Sequence, residues 1–125
     1  MHALVWRFRG PHLHIWISQP QLPAYVDLTW KQPQTFNTII LTFDTNTGRR
    51  ENEALFKYPD CVKDYELQTF SDGNWKTIES VQGNYHRRRT HRFDRISTDK
   101  LRLNVLATNG APTARVYEIR VYDEA

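Results

Sequence analysis

Between Val62 and Val81 the chain spells out one β-hairpin. Val62-Lys63-Asp64-Tyr65-Glu66-Leu67 has the alternation of a half-buried strand, Ser71-Asp72-Gly73-Asn74 is a tight reversal, and Trp75 to Val81 is the returning strand. An Asp-Gly pair between two such runs is a strong hairpin signal, because the two-residue turns that match strand twist need positive φ. The same period of two recurs along the chain. Ala24, Val26, Leu28 and Trp30 share one face, with Tyr25, Asp27 and Thr29 on the other. After a turn expected at Gln32-Pro33-Gln34, Ile39, Leu41 and Phe43 repeat the pattern. Thr90 to Phe93, Leu101-Leu103-Val105-Ala107 and Tyr117-Ile119-Val121 predict three further strands, with earlier ones through Ile15-Trp16-Ile17 and Leu4 to Phe8. Only Glu51 to Phe56 could form a helical turn. Many short strands separated by turns predict an all-β, antiparallel sandwich.

The 125 residues make one domain, with no internal repeat or linker. A chain of this length buries about two-thirds of its unfolded surface. Aromatics at 13%, four of them Trp, can fill a core with few side chains. No apolar run is long enough for a membrane helix. The start, Met1 to Arg7, lacks the apolar stretch and cleavage site of a signal peptide, and strand-like sequence begins at once. The chain therefore reads as a domain excised from, or appended to, a larger protein. A net charge of +3 is too small to point to nucleic acid. Cys61, the single cysteine, excludes an internal disulfide and reads as a small buried filler beside a strand.

The predicted meander places the loops. If Phe36 to Phe43 runs upward, Asp44 to Cys61 lies at the top. Asp64 to Phe70 then descends, Asp72-Gly73 turns at the bottom, and Gly83 to Arg89 is at the top again. The strand ending at Phe93 descends, Leu101 to Ala107 ascends, and Thr108 to Ala114 is the third top loop. Asp44 to Cys61 is about eighteen residues long, and loops longer than about 12–15 residues are usually functional or disordered. Gly83-Asn84-Tyr85-His86-Arg87-Arg88-Arg89 sets three guanidinium groups beside two rings. A binding site is expected at this end.

Ala24-Tyr25-Val26-Asp27-Leu28, Val62 to Leu67, Ser71 to Trp75, Leu101-Arg102-Leu103 and Arg115-Val116-Tyr117-Glu118-Ile119-Arg120-Val121-Tyr122 together resemble the discoidin or coagulation-factor type C domains. Many bacterial carbohydrate-binding modules are related to these. The resemblance implies a galactose-binding-like sandwich of the jelly-roll type. More narrowly, Cys61 to Tyr65 with Gly83 to Arg89 looks like discoidin-like regions attached to bacterial FAD-dependent oxidoreductases. The chain departs from the sugar-binding members in three places. Asp44 and Thr45 stand where those members tend to carry an arginine, and Thr108 to Thr113 lacks their aromatic residue. His2 to Gln21 contains no acidic residue to pair with Glu118 in a calcium site, so no cofactor is expected.

Sugar binding needs a flat ring to stack on C–H faces and a few fixed polar groups for hydroxyls. Asn84, Tyr85, His86 and Arg87 offer such a set, with Arg49, Tyr58 and Asn109 completing it from neighbouring loops. The chain is thus expected to be a non-catalytic carbohydrate-binding module, secreted or at the cell surface if it belongs to a glycan-degrading protein. The alternative is an accessory domain packed on a catalytic neighbour, with Leu55, Phe56 and Tyr58 at the contact. A third reading is attachment to anionic lipid or a polyanion through Arg87-Arg88-Arg89, Arg92 and Arg95, but alternation along a strand splits Arg87 and Arg89 from Arg88. With that split, the small net charge, and Leu55-Phe56 as the only apolar pair in a top loop, nucleic acid and membrane are not the expected partners. His12 and His14 share a face but lack further metal ligands nearby. His91, in phase with Phe93, reads as a hydrogen-bonded core histidine, and Glu118 as the partner of Arg120 or Arg102. No phosphate loop, nucleophile elbow or zinc-protease motif is present, and no enzyme activity is expected.

Overall fold

In the computed structural model, the structure describes residues 16–44 and 59–124 together with the backbone of residues 2–7. The chain forms β1 (His2–Arg7), β2 (Trp16–Ile17), β3 (Ala24–Phe43), β4 (Val62–Ser71), β5 (Asn74–Val81), β6 (Arg88–Thr108) and β7 (Arg115–Asp123). All pairings are antiparallel, in the order β1-β7-β3-β6-β4-β5, and β2 also pairs with β7.

Two of these strands shape the molecule. β3 has 20 residues and β6 has 21. A straight strand of that length would reach about 65 Å, whereas a domain this size has a radius of gyration near 14 Å, so both must bend. They bend together, where the β3–β6 register slips between Thr29 and Gln34 and again between Phe36 and Thr38. Pro33, which has no N–H to give a ladder, lies in the first slip. The turn expected at Gln32–Gln34 is therefore a fold in a continuous strand. Thr90–Phe93 and Leu101–Ala107 are likewise two halves of β6.

The bend makes one continuous sheet into two facing layers. Residues 34–43 of β3 and 88–98 of β6 join β7 and β1 in one layer. Residues 24–29 of β3 and 100–108 of β6 join β4 and β5 in the other. Contacts between the two layers prove the stacking: the Phe43 and Tyr65 rings lie 5.2 Å apart, and Tyr65 Oη is 2.7 Å from Nε2 of His91, which lies in the half of β6 that belongs to the other layer. The core holds the residues that alternation points inward, among them Leu28, Ile39, Leu41, Phe43, Tyr65, Leu67, Leu101, Leu103, Val105, Ile119 and Val121.

One inward assignment needs correction. Val116 and Ile119 are buried while Tyr117 is half-exposed. A bulge against Thr42 and Phe43 inserts one residue and reverses the phase there.

Candidate functional site at the loop end

The layers leave two unlike ends. The bends of β3 and β6 and the Asp72-Gly73 turn lie at one, where the Thr98 hydroxyl donates to the Phe70 carbonyl at 3.0 Å. At the other, the residues flanking the long loop meet the segments 83–89 and 108–114. Ala111 N–H donates to Pro59 O at 3.0 Å, Asn109 N–H to Cys61 O at 3.0 Å, and Phe43 N–H to Arg87 O at 2.7 Å. The described residues at the two ends of the long loop thus lie beside the other two loops, as the meander requires.

Asn84 is the pin of this end. It is only 2% exposed. Its Nδ2 donates to Val62 O at 2.8 Å and to His86 O at 3.1 Å, and its Oδ1 accepts from His86 N–H at 3.1 Å and Arg89 Nη1 at 3.0 Å. Its own N–H donates to Lys63 O at 2.9 Å, and its carbonyl accepts from Asn109 Nδ2 at 3.0 Å. A buried amide spends its bonding capacity this way because an unmade bond there costs about 1–3 kcal/mol. Asn84 therefore shapes the loop. Asn109 has the same occupation: its Nδ2 also reaches Cys61 O at 3.2 Å.

The other anticipated residues stand on this scaffold. The rings of Tyr85 and His86 lie 4.3 Å apart, tilted by 31°, with His86 exposed. Arg87 is partly committed: its Nη1 donates to Phe43 O at 3.3 Å, and its guanidinium sits 4.9 Å from the Tyr117 ring centroid. Strand geometry separates the arginines, Arg89 bonding to Asn84 while Arg88 is exposed. Arg49 and Tyr58 lie outside the described residues, as do Leu55, Phe56, His12 and His14.

Charge closes the base of the long loop. Arg115 at the start of β7 lies 3.6 Å from buried Asp44 and 3.9 Å from Asp60, bridging both ends of the segment. Sequence reasoning overlooked this clamp. The available signal was opposite charges flanking loops already placed at one end. Gly83 N–H donates to Asp64 Oδ1 at 2.9 Å, fixing the entrance of the other loop.

Cys61 is buried under these loops. Burial first, then the Asp44 charge, push its thiol up to about 12, against a smaller opposing pull from Arg87. It is a filler and no nucleophile. His91 is likewise internal, with Nε2 on Tyr65 and Nδ1 3.5 Å from Glu79 Oε1. Glu118 pairs with Arg120 at 2.5 Å. Among the described residues, no group of three His, Cys, Asp or Glu is placed to hold a metal.

No protein-family model and no curated protein matches the sequence. Solved structures do. The family 32 carbohydrate-binding module of Streptococcus pneumoniae EndoD is 28% identical, with a TM-score of 0.72 over 89% of this chain and 76% of that one. The family 32 module of C. perfringens NanJ, solved in complex with galactose, superposes with a TM-score of 0.67 at 15% identity, covering 98% of this chain and 93% of that one. SpGH29 has a TM-score of 0.70 and 20% identity over 98% of this chain, which spans only 27% of SpGH29. The chain has the discoidin-like sandwich fold of the family 32 carbohydrate-binding modules.

Proposed function

We propose that this chain is a non-catalytic carbohydrate-binding module that holds a saccharide at the loop end of its sandwich. The observation that carries the reading is the Tyr85–His86 ring pair, 4.3 Å between centroids, raised on a loop that buried Asn84 pins to three backbone groups. The likeness to the pneumococcal family 32 module, at 28% identity over most of both chains, supports it.

A pyranose offers an apolar C–H face and a rim of hydroxyls. Rings held at a fixed angle recognise the first, and a few oriented donors recognise the second. Tyr85 and His86 take the stacking role, Arg87 and Arg88 supply donors, and Arg49 and Tyr58 add to the set from the long loop. Asn84 and Asn109 position these groups without touching the sugar. No bond is made or broken: the buried thiol and the internally paired His91 have no part in a reaction. The chain acts as an appended module, and its span of about a quarter of SpGH29 fits that arrangement.

Calorimetric titration with galactose, N-acetylgalactosamine and fucose tests the reading. At least one sugar should bind saturably, and Tyr85→Ala and His86→Ala should each weaken it about tenfold, the worth of a lost ring contact near 1.4 kcal/mol. Absence of binding to all three, or full affinity in both variants, would remove the proposal.

A further inference from the structure

Of the asparagines in the chain, only Asn109 is followed by glycine. The pair is chemically weak, because Gly110 has no side chain to hinder its backbone nitrogen from reaching the Asn109 side-chain carbon. The fold nevertheless demands both residues. Gly110 has a φ of +147°, and a Cβ there would come within 3.3 Å of the Pro59 Cβ, so a larger residue would be both strained and crowded. Asn109 supplies the amide that ties segments together: Nδ2 donates to Cys61 O at 3.2 Å and to Asn84 O at 3.0 Å. An ionised aspartate has no donor to offer those carbonyls. Two separate structural demands thus set a labile pair where three segments meet.

In the closed fold both reacting groups are engaged. The leaving amide is held by the two carbonyls, and Gly110 N–H donates to Thr108 Oγ1 at 3.3 Å. The backbone on either side is fixed as well. Asn109 N–H bonds to Cys61 O and Ala111 N–H to Pro59 O, each at 3.0 Å, and the Thr108 hydroxyl donates to the Ala111 carbonyl. Ring closure requires the Asn109 side chain to turn back onto its own chain, so its bonds must break first. Local openings of this kind cost less than global unfolding.

We propose that Asn109 is a modification site whose deamidation records opening of the loop end and then keeps it open. During an opening the Gly110 nitrogen attacks Asn109 Cγ and forms the new N–Cγ bond of a succinimide. The Cγ–Nδ2 bond breaks, and the Gly110 proton leaves with Nδ2 as ammonia. Water then opens the ring, its hydroxyl going to one of the two ring carbonyls and its proton to the nitrogen. The product is aspartate or isoaspartate, with ammonia exchanged for water and nothing oxidised or reduced. Either product ends the tie, because carboxylate oxygens now face Cys61 O and Asn84 O where donors stood. Isoaspartate also lengthens the backbone by one carbon and so displaces Ala111 from Pro59 O. This chemistry belongs to the loops themselves and proceeds whether or not a saccharide binds there.

The test is peptide-mapping mass spectrometry of the protein aged at pH 8, with the chain in urea as reference. It uses the wild type, Asn84→Ala, Asn109→Gln and Asn109→Asp. Aspartate and isoaspartate should accumulate at residue 109 in the folded protein, more slowly than in urea. Asn84→Ala should speed this at least about tenfold, since it loosens the segment whose carbonyl holds Asn109 Nδ2. Asn109→Gln, whose longer side chain closes an imide ring far more slowly, should gain no acid there over the same period. The aged fraction of the wild type, separated by charge, should alkylate at Cys61 faster than fresh protein, and Asn109→Asp should do so from the outset. Equal rates in folded and urea-unfolded wild type, or in folded wild type and Asn84→Ala, would overturn the proposal. So would a folded Asn84→Ala that gains no acid while the urea sample converts. An aged fraction whose Cys61 stays as protected as in fresh protein would overturn it equally, because the modification would then leave the loop end closed.

Discussion

The two ends of the sandwich are held by different forces. At the bend end the contacts are aromatic: Phe36, 1% exposed, lies between Trp30 at 6.0 Å and Phe93 at 6.1 Å, ring to ring. At the loop end the contacts are amide hydrogen bonds from Asn84 and Asn109 to carbonyls of other segments. Packing of large rings is non-directional and tolerates sequence change at similar volume. Buried amides specify geometry, because every donor must find its acceptor. A module that recognises a ligand through loops needs the second kind of holding where the ligand sits, and the first kind where the strands only have to turn.

Substitution at each end breaks or sharpens this contrast. The largest effect is expected from Phe36→Ala, which opens a cavity in the middle of the ring cluster and should lower unfolding free energy by about 4 kcal/mol. Urea denaturation measures it, and the affinity of the loop end for its sugar should stay within twofold. Asn84→Ala should cost less globally, about 2–3 kcal/mol, but disorganise the loops selectively. Cys61 reports this: its thiol, at about 12 in the intact fold, is within 3.8 Å of Asn84 Nδ2 and 3.6 Å of His86 O. Alkylation at pH 8 should be negligible in wild type and in Phe36→Ala under folding conditions, and faster in Asn84→Ala. Equal alkylation in the two variants would erase the distinction between the ends.

What the sequence discloses follows the same division. Strand faces are legible from alternation alone, because a half-buried sheet imposes a period of two on Leu28, Ile39, Leu41, Tyr65 and Leu67 whatever surrounds them. That the ends of the long loop meet the other two loops is legible as well, since antiparallel neighbours alternate direction. The continuous bends are not: the polar residues near Gln32–Gln34 read as a turn, and only the pairing partner shows that the ladder resumes. Tyr117 escapes for a similar reason, its phase being set by a bulge against β3. Asn84 looks like a ligand-facing amide because Asn is mostly a surface residue. Its burial depends on carbonyls of Val62 and His86 that only the tertiary fold brings within reach. Arg49 and Tyr58 remain expectations from sequence, placed in the site only by the loop they occupy.

The smallest effect, and the one that links the two ends, belongs to His91. It lies between the layers, with Tyr65 and Glu79 from one and its own β6 from the other. Burial lowers its pKa below the usual 6.5; the Glu79 charge opposes this, and Arg89, which also bonds Asn84, adds to the lowering. The unfolded chain therefore binds a proton at a pH where the folded one does not. Stability should be constant well above pH 6.5 and fall as pH drops below it, by at most about 1.4 kcal/mol per unit, until the folded histidine itself titrates. A protonated His91 repels Arg89, so the bond holding Asn84 should loosen before the rings around Phe36 do. Hydrogen exchange at pH 7.5 and 5.5 can see this as lost protection at the amides of Asn84 and Asn109, with those of the bend unchanged. In His91→Gln the fall should flatten. If that variant keeps the full acid dependence, or both ends lose protection together, His91 does not couple to the loop end and the two ends answer acid as one body.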